Sequence, residues 1–231
     1  THYNGILALD KKWLDGIEGE VISANHIDLR SPATAPQTDA EFNEYFDNNP
    51  LIGSHIYDGN ATVWTSVQSD SDGFSRVILI DEGIDLNQAG RAVRNLLELA
   101  TYRSMTLLAW PVARALLPEI SDLENSLNST GEKLKKLETL EDEQKLMAEL
   151  ISEASKVEKL ISDNSFRFSA MQAYFKITES RLEMLREQKI PTIRTLKEFH
   201  LRRFIPAYDT CMSVVKRKSN LSDRVSRTSE L

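Results

Sequence analysis

The stretch LELATYRSMTLLAWPVARALLP, residues 97–118, is the most apolar part of the chain and carries Pro111 near its middle. Whether it spans a membrane, fills a core or forms a site decides the fold. A membrane helix needs about 20 predominantly apolar residues. The longest candidate here, Ser104–Pro118, has 15 and includes Arg114. An arginine at the membrane centre costs about 3 kcal/mol or more. The stretch therefore reads as a buried helix of a soluble domain. Leu96, Leu97, Ala100, Leu107, Leu108, Val112, Ala115 and Leu116 recur at helical spacing. Pro111 lacks a backbone donor and clashes with the preceding turn, which predicts a kink or break near Leu107–Trp110.

Upstream of this helix the pattern changes from helical to strand-like. EVISANHIDLR (20–30) reads as a strand. LIGSHIYDGNATVWTSVQ (51–68) reads as two strands joined at Asp58-Gly59-Asn60, a hairpin signal. SDSDG (69–73) is a second tight turn, leading into a third strand, FSRVILID (74–81). TDAEFNEYFDN (38–48) is a short helix capped by Thr38 or Asp39.

Downstream, from Asn87, nearly everything is helical. Leu116, Ile120, Leu123 and Leu127 form one seam, and Leu140, Met147, Leu150, Ala154, Val157 and Ile161 another, separated by NSTG (128–131). Together they predict a helical hairpin, with GEKLKKLETLEDEQK (131–145) as a solvated face. Residues 165–190 carry an aromatic and aliphatic stripe that ends before Pro191, and a last helix runs from Thr192 with a bend at Pro206. The expected class is α+β: a small β-containing base with long antiparallel helices forming a helical hairpin and stalk. The expected division is 1–86 for the base and 87–231 for the long helices. Long helices on a small base pack into an oligomer or form a stalk.

Charge and composition narrow the function. The chain of 231 residues has a net charge of −7, which argues against nonspecific nucleic-acid binding. Residues 1–180 hold 16 Lys and Arg against 29 Asp and Glu, whereas residues 181–231 hold 12 against 6. An acidic body with a basic final segment predicts that this end approaches something anionic. Cys211 is the one cysteine, so there is no disulfide framework, and a small core residue in a reducing setting is the expectation. The chain starts without Met and stops inside the helical pattern of RVSRTSEL, which reads as the middle of a longer protein.

No catalytic constellation emerges, and the expectation is a protein that is not an enzyme. His2, His26, His55 and His200 lack metal-ligand spacing, and there is no Gly-rich phosphate loop or nucleophile elbow. Asp70–Gly73 has the start of a calcium loop without its remaining ligands, and reads as a turn. One polar set stands out in the apolar helix: Arg91, Arg94, Glu98, Tyr102 and Arg103. Arg94, Glu98 and Tyr102 are four apart and share a face. The plain reading is an ion pair at the surface or at a helix contact. The sharper one is a buried network fixing the β base against the helices, or an anion contact. Neither a cofactor nor a resident metal is expected from these patterns.

Three stretches together carry a family resemblance: residues 64–120 with DGFSR, QAGR, TYR and P-AR elements, residues 165–211 with RFSA and LREQKIP, and residues 216–231, KRKSNLSDRVSRTSEL. The chain resembles the bacterial membrane-anchored proteins grouped as domain of unknown function 3422. It departs from their pattern at Thr65, Ser66 and Val67, where the family is more polar and charged. The resemblance implies further residues before Thr1 and two hydrophobic segments beyond Leu231. It implies no assigned activity and no catalytic residues. It also implies a bacterial inner-membrane protein with this part on the cytoplasmic side, a homo-oligomer reaching the membrane through other segments. The layout is similar to CorA-type divalent-cation channels. That implies a regulatory funnel and stalk, with a divalent cation such as Mg²⁺ at subunit contacts and Leu196, Phe199, Phe204, Cys211, Val214 and Val215 facing the axis or a neighbour. The alternative is a membrane scaffold whose helices bind a protein partner.

Overall fold

The structure, a computed structural model, describes residues 10–69, 73–135 and 138–229. His2 and the centre of the SDSDG turn (70–72) lie outside the described residues. In chain order the elements are α1 (Lys11–Asp15), β1 (Asn25–Arg30), α2 (Asp39–Tyr45), β2 (Ile52–Ile56), β3 (Ala61–Ser69), β4 (Ser75–Asp81), α3 (Leu86–Leu107), α4 (Ala109–Leu134), α5 (Leu140–Met184), β5 (Gln188–Lys189), α6 (Leu196–Arg203) and α7 (Ile205–Ser229). The protein is α+β, with a small mixed sheet and long helices.

The chain forms two compact units, Thr1–Ser104 with Ile177–Leu201, and Met105–Lys176 with Arg202–Leu231. The sequence division at residue 86 follows the change from strand to helix. The compact units follow burial instead, because the first turns of α3 pack on the sheet.

In the first unit the sheet order is β1-β4-β3-β2-β5, with β1 parallel to β4 and the other pairs antiparallel. Alternation along β4 feeds two cores. Val77 and Leu79 join Ile56, Ala61 and Val63 against Ala92, Leu96 and Leu99 of α3 and Leu196 of α6. Ile78 and Ile80 face the other way, onto Tyr45, Phe46 and Phe42 of the α2 region. The β2–β3 hairpin turns through Tyr57, Asp58 and Gly59, all at positive φ, where the Asp-Gly signal placed it. Gly53 lies opposite Trp64, and a Cβ there would stand 2.7 Å from the indole. Thr38 caps α2 by accepting from the Glu41 amide.

Several boundaries differ from expectation. The first strand is shorter, because only Asn25–Arg30 pair with β4 and Val21 is exposed. The helix expected up to Pro191 stops at Met184, because Arg186 takes a positive φ and Gln188 and Lys189 pair with β2. The last helix begins at Leu196 and not at Thr192, whose φ is 67°. Its start is a capping box: Thr195 Oγ1 accepts from the Glu198 amide at 3.0 Å, and Glu198 Oε2 accepts from the Thr195 amide at 3.2 Å. It breaks at Phe204, two residues before Pro206.

The second unit is a three-helix bundle. α5 runs antiparallel to α4, as the Lys133–Glu149 pair and the Ser126 and Thr130 hydrogen bonds to Glu153 show. α7 runs parallel to α4, with Arg217 on Glu124 at 2.6 Å and Arg224 on Asn128 at 2.8 Å. Ala109, Ala113, Leu116, Ile120, Leu127, Leu150, Val157, Leu160, Phe168 and Met171 fill the core with Cys211, Val214, Leu221 and Val225. The hairpin seams therefore form, with one correction of phase. Leu140 and Met147 are exposed, while Leu146 and Leu150 are buried.

The stretch at 97–118 is helical and broken at Leu108, inside the expected window. Pro111 then falls in the first turn of α4, where its missing N–H costs no hydrogen bond. The stretch is not buried all round, since Leu97, Leu108 and Trp110 are exposed and Leu99, Thr106, Ala109, Ala113 and Leu116 form the covered face. No helix among the described residues is long and apolar enough to cross a membrane.

Candidate functional site

The five polar residues of α3 do not act as one group. Arg91 is exposed. Glu98 sits between two cations: Arg94 Nε lies 3.7 Å from Oε1, and Arg181 of the last turns of α5 donates to Oε2. Glu98 and Arg181 are both about three-quarters covered, so this pair ties α3 to α5 within the first unit. Tyr102 is half-buried one turn further on. Arg103 takes a different direction, into a cavity between the α3 face of the sheet and helices α3 and α6.

That cavity has a volume of about 40 Å³. Its floor is Val63, Thr65 and Val67 of β3 with Val77 of β4, and its walls are Leu96, Leu99 and Arg103 of α3 with Leu196 and His200 of α6. Asn25 and Ser75, at the first positions of β1 and β4, stand at the strand-end side. A bulge shapes the floor. The β3–β4 register shifts between Thr65 and Ser69, Val67 takes a φ of 57°, and its amide donates to Thr65 Oγ1 at 3.1 Å. The chain thus breaks its ladder at Thr65–Val67.

His200 is placed by the local start of α6. Glu187 accepts from the Leu196 and Lys197 amides at 3.0 and 2.9 Å and is itself held by the Ser54 hydroxyl at 2.6 Å. A carboxylate at a helix N-terminus satisfies orphan donors and favours the dipole. One turn on, His200 Nδ1 donates to the Leu196 carbonyl at 2.7 Å. Burial, together with the nearby Arg103 charge, pushes the imidazole down to about 4, so it is neutral at neutral pH. Burial likewise pushes the Arg103 guanidinium down to about 10, still fully protonated at neutral pH. Among the described residues no acidic residue lines the cavity, and no hydrogen bond or ion pair engages Arg103.

The sequence pointed to Arg103 but not to His200, Arg181 or the buried Asn95, whose Nδ2 donates to the Tyr57 hydroxyl at 3.0 Å. The partners of Asn95 and Arg181 lie 38 and 83 residues away in the chain, beyond any helical spacing, and His200 joins Arg103 only where α6 packs beside α3. His26 and His55 lie in β1 and β2 as expected. Cys211 is buried in the bundle, and burial pushes its thiol up to about 11, which makes it a poor nucleophile.

The bundle offers a second concavity, a groove of about 840 Å³ between α4 and α5 lined by Glu119, Asp122, Lys156, Lys159 and Asp163. Its charges are mixed and open to solvent. Among the described residues no group of three or more His, Cys, Asp or Glu could hold a metal ion.

The chain combines an α+β base with a helical bundle. The chain belongs to the family described as Protein of unknown function (DUF3422), whose model matches residues 2–231. No curated protein and no solved structure matches it.

Proposed function

We propose that this chain is the non-enzymatic, water-facing part of a membrane-anchored protein, on the cytoplasmic side of the bacterial inner membrane, and that it regulates the membrane segments. The observation that carries the reading is the charge asymmetry: an acidic body and a basic final segment whose Lys197, Arg202, Arg203, Lys216 and Arg227 remain exposed. Exposed cations near a membrane are attracted to anionic lipid and stay on the cytoplasmic side. The finer form of the proposal is CorA-like divalent-cation transport by a homo-oligomer. Carboxylates from two copies would supply the oxygen ligands that a hard cation such as Mg²⁺ requires. The layout of a small α+β base followed by a helical hairpin and a long final helix supports it.

The alternative, a scaffold whose helices bind a protein partner, is favoured by one observation. The α7 face expected to line an axis is occupied inside the chain itself. Phe204, Cys211 and Val214 are buried in the bundle, and Leu196 is buried in the first unit with Phe199 packed against that core. The experiment is uptake of Mg²⁺ into liposomes holding the full-length protein, under a membrane potential, with its oligomeric state measured in detergent. Saturable uptake by an oligomer supports transport. A folded oligomer that moves no divalent ion supports the scaffold, and a strictly monomeric protein removes the channel. Proteolysis of this part from outside intact spheroplasts would overturn the cytoplasmic placement.

A further inference from the structure

We propose that the cavity between the sheet and helices α3 and α6 binds a small carboxylate, its oxygens on the Arg103 guanidinium and its apolar part against Val63, Val77, Leu96 and Leu99. This site is independent of the membrane reading.

The argument begins with charge balance. Among the described residues Arg103 is the one charged residue on the cavity wall. The one acidic residue of its own helix, Glu98, points another way and is committed to Arg94 and Arg181. Arg103 is only partly exposed, and a guanidinium partly withdrawn from water favours a counter-charge beside it. Folded proteins retain such a group where something balances it. Among the described residues none pairs with Arg103, although the chain is rich in carboxylates elsewhere. The wall is also protected from a competing charge change, because His200 stays neutral down to about pH 4.

Shape and lining then select the ligand class. A cavity of about 40 Å³ has room for about three waters or one small molecule, and none for a nucleotide or a sugar phosphate. Its lining is mostly aliphatic, which disfavours a fully hydrated inorganic ion such as phosphate. The planar fork of an arginine matches a planar carboxylate through two parallel hydrogen bonds. Ser75 adds a hydroxyl that makes no hydrogen bond within the described residues, at the same end of the sheet as Asn25. The Thr65–Val67 bulge brings the Val67 side chain onto the floor and so sets the depth of the cavity.

The test uses the chain itself with acetate as the probe. Its melting temperature is followed against sodium acetate, sodium chloride and sodium phosphate at constant ionic strength. Binding is measured from the carbon NMR line of labelled acetate. Arg103→Met keeps the length of the side chain and removes the charge; Arg103→Lys keeps the charge and removes the fork. The expected result is a saturable rise in melting temperature with acetate alone, with line broadening in the wild type. Arg103→Met melts at or above the wild type in chloride and responds to no anion. Arg103→Lys binds acetate about tenfold more weakly. An equal rise with chloride or phosphate overturns the proposal, as that is charge neutralisation without a carboxylate site. So does acetate binding that survives in Arg103→Met, or a wild type indifferent to acetate. If Arg103→Met does not fold, Arg103→Lys decides: unchanged acetate affinity overturns the fork, and weakened affinity supports it.

Discussion

Two neighbouring residues of α5 should respond oppositely to the same change. Leu150 is 3% exposed and packs in the α4–α5 seam, whereas Ile151 is 60% exposed. Leu150→Ala removes three buried carbons, worth about 2.4 kcal/mol at about 0.8 kcal/mol each. If α4 does not collapse onto the gap, a void of about 50 Å³ at about 24 cal/mol per Å³ adds about 1 kcal/mol. The expected loss is therefore about 2.4–3.6 kcal/mol. Ile151→Ala removes the same number of carbons from a side chain mostly in water. It also gains about 0.5 kcal/mol of helix propensity, because alanine is not β-branched. Its net effect should stay within about 0.5 kcal/mol. Urea unfolding followed by far-ultraviolet circular dichroism, compared at a common slope, gives both values. Equal losses, or a larger loss for Ile151→Ala, would refute the rotational phase assigned to α5 and with it the packing of the bundle.

Gly53→Ala should cost about 1–3 kcal/mol, because its Cβ would stand 2.7 Å from Trp64 Cε3 and 3.0 Å from the Val63 carbonyl; a neutral variant in the same unfolding assay would show that the indole moves aside freely. His200 titrates near 6.5 when unfolded and near 4 when folded, so the unfolded chain takes up its proton first as pH falls. Stability from this group should therefore drop by about 3 kcal/mol between those two values and no further below them. His200→Asn should flatten that part of the profile, and an unchanged slope in the variant would assign the pH dependence to other groups.

Elements with local causes were legible in the sequence. The Asp58-Gly59-Asn60 hairpin, the Thr38 cap, the FSRVILID strand and the break before Pro111 each depend on residues within one turn of each other. What was not legible depends on partners far along the chain. β5 is two residues long and exists because β2 offers an edge 133 residues upstream, where Ser54 also binds Glu187. The second seam holds at Leu150, Ala154, Val157 and Ile161 and misses only at Leu140 and Met147, because Leu146 and Met147 are adjacent apolar residues. Either phase satisfies the periodicity, and only the position of α4 chooses between them. The candidate site was half-visible for the same reason. Arg103 stood out as a charge in an apolar helix, but its surroundings come from β1, β3, β4 and α6, which no spacing rule connects.

The fate of α7 constrains any assembly this family builds. A helix that lines a symmetric axis must leave an apolar or polar face free for its copies. In α7 the residues Cys211, Val214, Leu221 and Val225 close the chain's own core, and Arg217 is committed to Glu124 through two hydrogen bonds. That bidentate contact holds the Glu124 carboxyl below its ordinary range and the Arg217 guanidinium above its own. The remaining face of α7 carries Asp209, Ser213, Lys216, Asn220, Asp223 and Arg227, which is the composition of a solvated surface. Opening the bundle to free the apolar face would expose a core that the hairpin helices also share. An axis built on this chain would therefore have to be a polar one, or be built from another element. The exposed apolar residues of α5, Leu140, Met147 and Ile151, recur on one face at intervals of seven and four. Contacts between copies, where they form without unfolding the bundle, are thus more compatible with α5 than with the helix that sequence reasoning chose. The apolar stripe of α7 is covered within the chain by α4, running parallel to it, and by α5.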